Sequence, residues 1–332
     1  MARLHLPFQQ NNDSAVATRP AFWKPWMSAA AGVLVLTVIL VLVIRSARGA
    51  RAEKAPETET APAAVSAQTV PTAPPAAGKS DLPPAMQIVP ADTSAELTLR
   101  AAAKRDGFPM LRWDVQRFSL GGDGRMTYTG GERTLTGVDV SEHQGDIDWK
   151  KVAADGVDFA MIRMGYRGST AGGLYVDEYF EKNVAGAHSA GLPVGVYFYS
   201  QAVTEAEARE EAQFVLDHIR GRNVSFPVVF DWEIVGGQDA RTYSLSRREL
   251  VACARAFCDT ISDAGYEPMI YFTQYLAYRK YILRNLADVG FWYAEYAPQP
   301  RIAFDFAMWQ YSETGSVAGI DGDVDLNLYF VR

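Results

Sequence analysis

Three stretches decide the fold: ADGVDFAMIR at residues 154–163, SAGLPVGVYF at 189–198 and DAGYEPMIYF at 263–272. In each one, a glycine follows a helical pattern and a buried apolar strand begins a few residues later. A glycine just past the last helical turn is the common end of a helix before a short loop into a strand. Because buried strands that are joined by helices pair in parallel, the repeated junction predicts a parallel α/β architecture.

Apolar runs of strand length continue on both sides of these junctions. Helical patterns separate the first five runs, and the capping pairs Thr204 with Glu207 and Ser246 with Glu249 mark the start of two helices. Eight such strands predict a closed, TIM-like barrel, whose last three strands lack full helices because the sequence between them shortens. The expected strands are Thr136–Val140, Asp158–Met164, Pro193–Ser200, Pro227–Glu233, Pro268–Thr273, Gly290–Tyr296, Phe306–Tyr311 and Asp323–Phe330.

An uncharged run before the barrel predicts a transmembrane helix. Residues 25–44 contain AAAGVLVLTVILVLVI, and a helix of this length spans about 30 Å, the thickness of a bilayer core. Basic residues flank the run on both sides, so the charges alone leave its orientation undecided. Removal as a signal peptide is the alternative to a permanent anchor.

The segment between this run and the barrel changes composition twice. Residues 51–90 hold eight of the 17 prolines, which predicts a disordered Ala/Pro-rich linker. Further on, Thr93 to Arg105 has the pattern of a short helix, and the glycine-rich turn at 121–124 is typical of a hairpin. We therefore divide the chain into an N-terminal segment (1–24), a transmembrane helix (25–44), a linker (45–90), a helix and hairpin (91–133) and a barrel (134–332).

The charge of the chain is uneven, and this limits its partners. The 332 residues have a formal net charge of −7, but residues 1–132 hold 14 basic and 11 acidic side chains, against 18 and 28 in the remainder. The acidic remainder argues against nucleic acid as a partner, because phosphate binding needs a basic face. The two cysteines, Cys253 and Cys258, lie five apart in a helical pattern, too far for an easy disulfide, so we expect buried thiols.

Four carboxylates fall at the rim expected for the strand ends: Asp139, Asp231, Glu233 and Asp325. Asp231 and Glu233 are two apart on one strand, so both project to the same side. Closure of the barrel makes the first and last strands neighbours, which places Asp139 beside Asp325. Converging carboxylates repel, so at least one pKa rises. A carboxylic acid beside a carboxylate can cleave a glycosidic bond, since one protonates the leaving oxygen and the other stabilises or traps the positive centre.

Other polar and aromatic residues at these strand ends are candidates for substrate binding, and the aromatic rings suit stacking on sugars. They are Arg163, Tyr166, Tyr197, Tyr199, Tyr271, Trp292 and Gln310. A metal site is the alternative, because His143 lies near Asp139 and the paired acids could complete a ligand set. His188 and His218 fall in helical stretches away from the rim, which disfavours a histidine-based site and leaves a carboxylate-only Mg²⁺ or Ca²⁺ site as the remaining metal alternative. Motifs for a nucleotide, a dinucleotide or a serine triad are absent from the sequence.

Four motifs stand in order along the barrel: GVDVSEHQG at 137–145, FDWE at 230–233, MWQYS at 308–312 and GIDGDVDLN at 319–327. Together they resemble glycoside hydrolase family 25, the Chalaropsis-type lysozymes, over about residues 134–332. The resemblance implies a (β/α)5(β)3 barrel. It also implies cleavage of the β-1,4 bond between N-acetylmuramic acid and N-acetylglucosamine in peptidoglycan, without a metal or other cofactor.

The resemblance further implies that Glu233 is the acid/base and Asp231 its partner, with Asp139 and Asp325 in support. Asp231 would act as nucleophile or orient the acetamido group of the substrate, and spacing leaves both open. Peptidoglycan lies outside the cytoplasmic membrane, so this function places residues 1–24 in the cytoplasm and the barrel outside, in the periplasm or extracellular space. We expect a membrane-tethered monomer. The competing hypotheses are a catalytically silent wall-binding module and a metal-dependent polysaccharide hydrolase or deacetylase.

Overall fold

The computed structural model of the chain describes residues 101, 104 and 108–331. The N-terminal segment at 1–24, the expected transmembrane helix at 25–44 and the linker at 45–90 lie outside these residues, as does most of the helix expected at 93–105. Within the described part of the chain, no helix is both long enough and apolar enough to cross a bilayer.

Eight strands close into a barrel, as predicted, and three short strands lie outside it. The strands are β1 (Phe118–Leu120), β2 (Met126–Tyr128), β3 (Thr134–Val140), β4 (Phe159–Arg167), β5 (Leu174–Val176), β6 (Val194–Ser200), β7 (Val224–Trp232), β8 (Pro268–Thr273), β9 (Gly290–Ala294), β10 (Met308–Gly315) and β11 (Val324–Phe330). The barrel runs from β3 through β4, β6, β7, β8, β9, β10 and β11 and back to β3, while β5 pairs with β4 alone and β1 pairs with β2.

Four α-helices connect the first five barrel strands. They are α1 (Trp149–Ala154), α2 (Phe180–Ser189), α3 (Glu205–Ile219) and α4 (Arg247–Asp263). The side chains of Thr204 and Ser246 cap α3 and α4 at the positions predicted from the sequence. After β8 the chain forms only a π-helical turn at Leu276–Lys280 and a 3₁₀ turn at Leu283–Leu286. The prediction that the last three strands lack full helices is therefore confirmed.

The last strand reverses direction relative to the rest of the barrel. Parallel pairing runs from β3 and β4 round to β9 and β10. In contrast, β11 is antiparallel to both β10 and β3. Residues 316–323, which join β10 to β11, contain no helix, and so short a connection turns the chain back instead of carrying it across the sheet. Parallel pairing therefore holds for the first seven barrel strands, including β9 and β10, which residues 295–307 join without a helix, and it fails for the last strand.

The barrel interior is a packed core and not a channel. Large side chains fill it from alternate positions of the strands, as in other small barrels. They include Phe159, Met161, Val229, Met269, Trp292 and Met308, all 3% exposed or less. The opposite faces of the same strands pack against the helices in a second, larger core. Because side chains alternate along a strand, every second residue faces the barrel interior, and the last of these residues lies at the rim.

Residues 108–130, which we call the cover segment, pack on the barrel where it lacks helices. The indole of Trp113 stacks on the ring of Phe330 with centroids 3.9 Å apart, and its Nε1 donates a hydrogen bond of 3.0 Å to the carbonyl oxygen of Phe306. Phe118 contacts Trp309 edge to face. These partners lie on or just before the last two strands. The cover segment thus buries apolar surface that helices bury elsewhere in the barrel.

Gly165 allows the hairpin between β4 and β5 to close. A Cβ at this position would lie 2.1 Å from the carbonyl oxygen of Tyr175, a backbone atom. We expect Gly165→Ala to lower the free energy of unfolding by about 1–3 kcal/mol, the usual cost of overpacking, in urea denaturation. Gly122→Ala is the matched control, because a Cβ there meets nothing within 4 Å. Equal stability of the two variants would contradict the steric argument.

The two cysteines lie on α4, where both are buried and form no disulfide. Burial raises the pKa of the Cys253 thiol to about 12 and also raises that of Cys258. Thiols of this kind are poor nucleophiles, because the thiolate is the reactive form. The prediction of two buried, unpaired thiols is confirmed.

Candidate active site

The interior face of the barrel ends, at one rim, in the four acids predicted from the sequence. Asp139 is on β3, Asp231 is on β7, and Glu233 is the first residue past β7. Asp325 lies near the start of β11, where the register pairs it directly with Asp139. The carboxyl groups influence one another, since the charges of Asp139 and Glu233 raise the pKa values of neighbouring acids. The structure therefore brings all four together.

Asp139 and Asp325 form a hydrogen-bonded carboxyl pair. The Asp139 Oδ2 atom accepts hydrogen bonds from the amide nitrogens of Gln310, at 3.0 Å, and Asn327, at 2.7 Å. Burial raises the pKa of Asp139, while these two bonds lower it. Burial and the adjacent Asp139 raise the pKa of Asp325 well above its usual range. The amide donors therefore favour the ionised form of Asp139, and the charge of Asp139 favours the protonated form of Asp325.

Both amides that bind Asp139 are held in one orientation. The hydroxyls of Tyr271 and Tyr296 each donate to the Gln310 Oε1 atom at 3.1 Å. In the same way, the indole Nε1 of Trp292 donates to the Asn327 Oδ1 atom at 2.8 Å. Since the oxygens of both amides are occupied by these donors, their NH₂ groups face Asp139. The aromatic residues thus stabilise the negative charge on Asp139 through the amides.

Asp231 has a carboxylate oxygen without a hydrogen-bond partner. It is buried, and its Oδ1 atom has no hydrogen-bond partner among the described residues. Burial raises its pKa well above the usual range, and the charges of Glu233 and Asp139 raise it further, whereas Arg163 lowers it. An unsatisfied buried carboxylate oxygen is costly, and such groups concentrate at functional sites.

Glu233 combines partial exposure with a raised pKa. The residue as a whole is half-buried, but burial of its carboxyl group raises the pKa to about 7, with a further contribution from the charge of Asp139. Within residues 108–331, no hydrogen bond to this carboxyl group is found. At neutral pH the group is thus partly protonated and its proton is not engaged by the protein.

Arg163 is buried and is held by other carboxylates. It is 4% exposed, and its guanidinium pairs with Asp177 at 2.7 Å and with Glu142 at 3.0 Å. His143 contacts the same guanidinium at 3.4 Å, and burial, followed by the charge of Arg163, lowers its pKa. Arg163 is therefore a buried positive charge that acts on Asp231 through its field.

The three predicted tyrosines of β4 and β6 occupy different places. Tyr166 is buried and stacks on Tyr175, with centroids 5.2 Å apart. Tyr197 meets the ring of Trp292 edge to face in the barrel interior. The hydroxyl of Tyr199 is buried without a hydrogen-bond partner in the described residues. Burial raises the Tyr199 pKa well above its usual range, as does the charge of the nearby acids, so its hydroxyl is neutral and free to donate.

The sequence profile of glycosyl hydrolases family 25 matches residues 138–320, which is more than half of the chain and includes three of the four acids. The chain belongs to glycosyl hydrolases family 25. The resemblance drawn from the sequence motifs is therefore confirmed. The fourth acid, Asp325, lies five residues beyond the matched range, on the strand that completes the barrel of this family 25 chain.

Two curated relatives of the family 25 chain are lysozymes by name. The autolytic lysozyme of Clostridium acetobutylicum is 29% identical over 195 residues, which cover 58% of this chain and 55% of the relative. Lysozyme M1 of Streptomyces globisporus is 27% identical over 224 residues, which cover 64% of this chain and 74% of the relative. The family 25 chain thus spans about half the length of the autolytic lysozyme.

Two solved structures share its fold. The modular autolysin LytC of Streptococcus pneumoniae, in complex with a synthetic peptidoglycan ligand, aligns with a TM-score of 0.55 and 25% identity, covering 67% of this chain and 52% of that one. A family 25 glycosyl hydrolase from Bacillus anthracis aligns with a TM-score of 0.52 and 23% identity, covering 62% of this chain and 93% of that one. At 23% identity, the second alignment is evidence of a common fold alone.

Two residues of the family 25 site escaped the sequence analysis. Asn327 is two positions after Asp325, so the alternation of a strand placed it on the same face, and this signal was available. Tyr296 is 43% exposed, with its hydroxyl bound to Gln310. Its position at the end of an expected strand was visible, but nothing local distinguished it from the buried aromatic residues at other strand ends.

The metal alternative has no ready ligand set in the described part of the family 25 chain. No group of three or more His, Cys, Asp or Glu side chains there is arranged to hold an ion. His143, the histidine nearest the acids in the sequence, contacts the Arg163 guanidinium instead. His188 and His218 lie on α2 and α3.

Proposed function

We propose that this chain is a peptidoglycan hydrolase, an N-acetylmuramidase that cleaves the β-1,4 bond between N-acetylmuramic acid and N-acetylglucosamine. The observation that carries the proposal is the pair Asp231 and Glu233, two carboxyls on one strand end with different environments. Membership of family 25 and the lysozyme names of two relatives support it. The peptidoglycan ligand in the LytC structure supports the same substrate class.

Glu233 serves as the general acid in this proposal. Its pKa of about 7 keeps a proton on the carboxyl at mildly acidic pH, where the leaving-group oxygen needs one. The lack of a hydrogen bond to this carboxyl leaves the proton available to the substrate. After the bond breaks, the resulting carboxylate takes a proton from the attacking water.

Asp231 stabilises the positive charge that develops on the sugar. Its unpartnered Oδ1 atom suits either attack on the anomeric carbon or a hydrogen bond from the acetamido nitrogen of the substrate. The unpartnered hydroxyl of Tyr199 suits a hydrogen bond to a sugar oxygen or to the acetamido carbonyl. Asp139 and Asp325 act on this pair by their charge and their shared proton.

The remaining candidates divide into two roles. Arg163, Trp292 and Gln310 are buried and bound to protein partners, so we assign them to holding the acids. Tyr166, Tyr197 and Tyr271 stay candidates for substrate binding through the edges of their rings, since the hydroxyls of Tyr197 and Tyr271 already donate to Val140 and Gln310. Tyr296 adds an exposed ring at the rim.

We also propose the arrangement of the whole chain. Residues 134–332 form the (β/α)5(β)3 catalytic barrel, and the uncharged run at 25–44 anchors it as a monomer to the cytoplasmic membrane through the 45–90 linker. Because peptidoglycan lies outside that membrane, residues 1–24 are cytoplasmic and the barrel is outside. A reporter fused to the C-terminus should be active only outside the cytoplasm, and a cytoplasmic signal would overturn this topology.

The activity is tested with the full chain in detergent and purified peptidoglycan. We expect new reducing ends, and mass spectrometry of the products should place them on N-acetylmuramic acid. Reducing ends on N-acetylglucosamine would make the enzyme a glucosaminidase instead. Binding without release would favour the silent module, and loss of activity with a chelator would favour the metal-dependent hydrolase.

The pH dependence of the reaction follows from the two raised pKa values. Glu233 must be protonated, so kcat/KM should fall as pH rises through about 7. Asp231 must be ionised, so its raised pKa should place the acidic limb of the profile at a pH above the ordinary pKa range of aspartate. A pH series of reducing-end release measures both limbs. A profile that stays level from pH 6 to pH 9 would contradict the assignment of Glu233 as the acid.

A further inference from the structure

Gln201 is a fully buried polar side chain next to the acids. It is the first residue after β6. The pairing of β6 with β7 ends at Ser200 and Trp232, the residues just before Gln201 and Glu233. Glu233 is therefore the first residue after β7 that lies beyond the ladder of hydrogen bonds. The side chain of Gln201 replaces the missing ladder contact, since its Nε2 atom donates to the carbonyl oxygen of Glu233 at 3.3 Å.

The amide of Gln201 is itself held in place. Its Oε1 atom accepts a hydrogen bond of 2.9 Å from the hydroxyl of Thr242, which determines that the NH₂ group faces Glu233. Its main-chain carbonyl accepts from the guanidinium of Arg241 at 3.0 Å, and Arg241 pairs with Glu207 on α3. Gln201 thus connects the end of β6, the helix that follows it and the loop that follows Glu233.

This contact to the main chain matters because no described residue holds the Glu233 carboxyl directly. In the described part of the chain that carboxyl receives no hydrogen bond, so its position depends on the main chain at Glu233. The pKa of about 7 depends on the same position, because burial is its main cause. Displacements of about 1 Å at a reacting group can cost 100-fold in rate.

We propose that Gln201 is a positioning residue for the general acid. Its side-chain amide extends the β6–β7 ladder by one residue, fixes the main chain at Glu233 and thereby sets both the direction and the protonation of the carboxyl. Gln201 touches no substrate in this role. The catalytic part of the inference rests on the proposed muramidase function.

The test replaces Gln201 by Met in the full chain, which keeps the length of the side chain and removes the donor. We expect kcat to fall about 10- to 100-fold with KM within about twofold, because substrate contacts are unchanged. The alkaline limb of the pH profile should move to lower pH, since a displaced Glu233 is better solvated. If Gln201 had a purely structural role, the substitution would reduce the fraction of active enzyme at every pH and leave the alkaline limb of the profile in place.

Gln213→Met is the matched control, because Gln213 is exposed on α3 and away from the acids. If Gln201→Met does not fold, Gln201→Leu decides, since it removes the amide donor without adding a charge beside the acids. A folded variant with the kcat and alkaline limb of the control would overturn the proposal.

A second measurement separates this inference from the proposed function. A ¹³C NMR titration of the glutamate carboxyls, assigned with Glu233→Gln, reports the Glu233 pKa without turnover. We expect a lower pKa in Gln201→Met than in the parent chain. If the parent chain releases no reducing ends, the muramidase proposal fails, whereas an unchanged Glu233 pKa rejects the role of Gln201 alone.

Discussion

Glu233→Gln is expected to lower kcat by about 100- to 10,000-fold, the usual contribution of a general acid. The amide has nearly the same shape as the carboxyl and has no proton to give to the leaving oxygen. Because no hydrogen bond from the described residues reaches that carboxyl, the substitution breaks no contact of the fold. Reducing-end release from purified peptidoglycan measures the loss, and KM should change little.

The control for this variant is Glu132→Gln, the same chemical change at an exposed position before β3. We expect it to keep the parent activity and melting temperature. Circular dichroism should show that Glu233→Gln is folded and no less stable than the parent, since it removes a buried acid. A folded Glu233→Gln variant with more than a tenth of the parent kcat would reject Glu233 as the acid.

Trp113→Ala is expected to lower the free energy of unfolding by about 3–5 kcal/mol, the range for a large aromatic residue removed from a core. Trp113 is 6% exposed and joins the cover segment to the barrel by a stack on Phe330 and a hydrogen bond to Phe306. Its loss uncovers the outer face of the helix-free strands. Urea denaturation, followed by near-ultraviolet circular dichroism, measures the change.

Trp113→Phe serves as the graded comparison for that prediction. It retains an aromatic ring against Phe330 but removes the hydrogen bond to Phe306 and part of the buried ring volume, so its stability should lie between those of the parent and Trp113→Ala. Activity at low temperature should remain in both variants, because the cover segment is outside the site. A Trp113→Ala chain within 1 kcal/mol of the parent would show that the cover segment is dispensable.

The position of Asp325 illustrates how far the sequence could predict the site. The motif and the closure of the barrel placed it beside Asp139, and the register confirms this pairing. The expectation of parallel strands put Asp325 at the carboxyl end of its strand, and this direction is wrong. Asp325 lies near the start of β11 and reaches the rim only because β11 is antiparallel to its neighbours. In a parallel strand the same residue would lie at the opposite end of the barrel.

The support of Asp139 was out of reach for a different reason. The two amides that bind it come from residues 171 and 188 positions away in the chain. Sequence patterns report on neighbours within a few residues, so they predicted Gln310 as a substrate contact and passed over Asn327. Likewise, the basic residue Arg163 suggested substrate binding, whereas Asp177 and Glu142 occupy its guanidinium in the fold.

By itself, the sequence determined the barrel, its order of helices and strands, and the identity of the four acids. These follow from local signals: apolar runs of strand length, helix caps, glycine junctions and the two-residue spacing of Asp231 and Glu233. The tertiary structure decided the state of those acids. A pKa depends on desolvation and on charges from distant strands, so only the closed barrel raises the pKa of Glu233 to about 7 and leaves the Asp231 Oδ1 atom without a hydrogen-bond partner in the described residues.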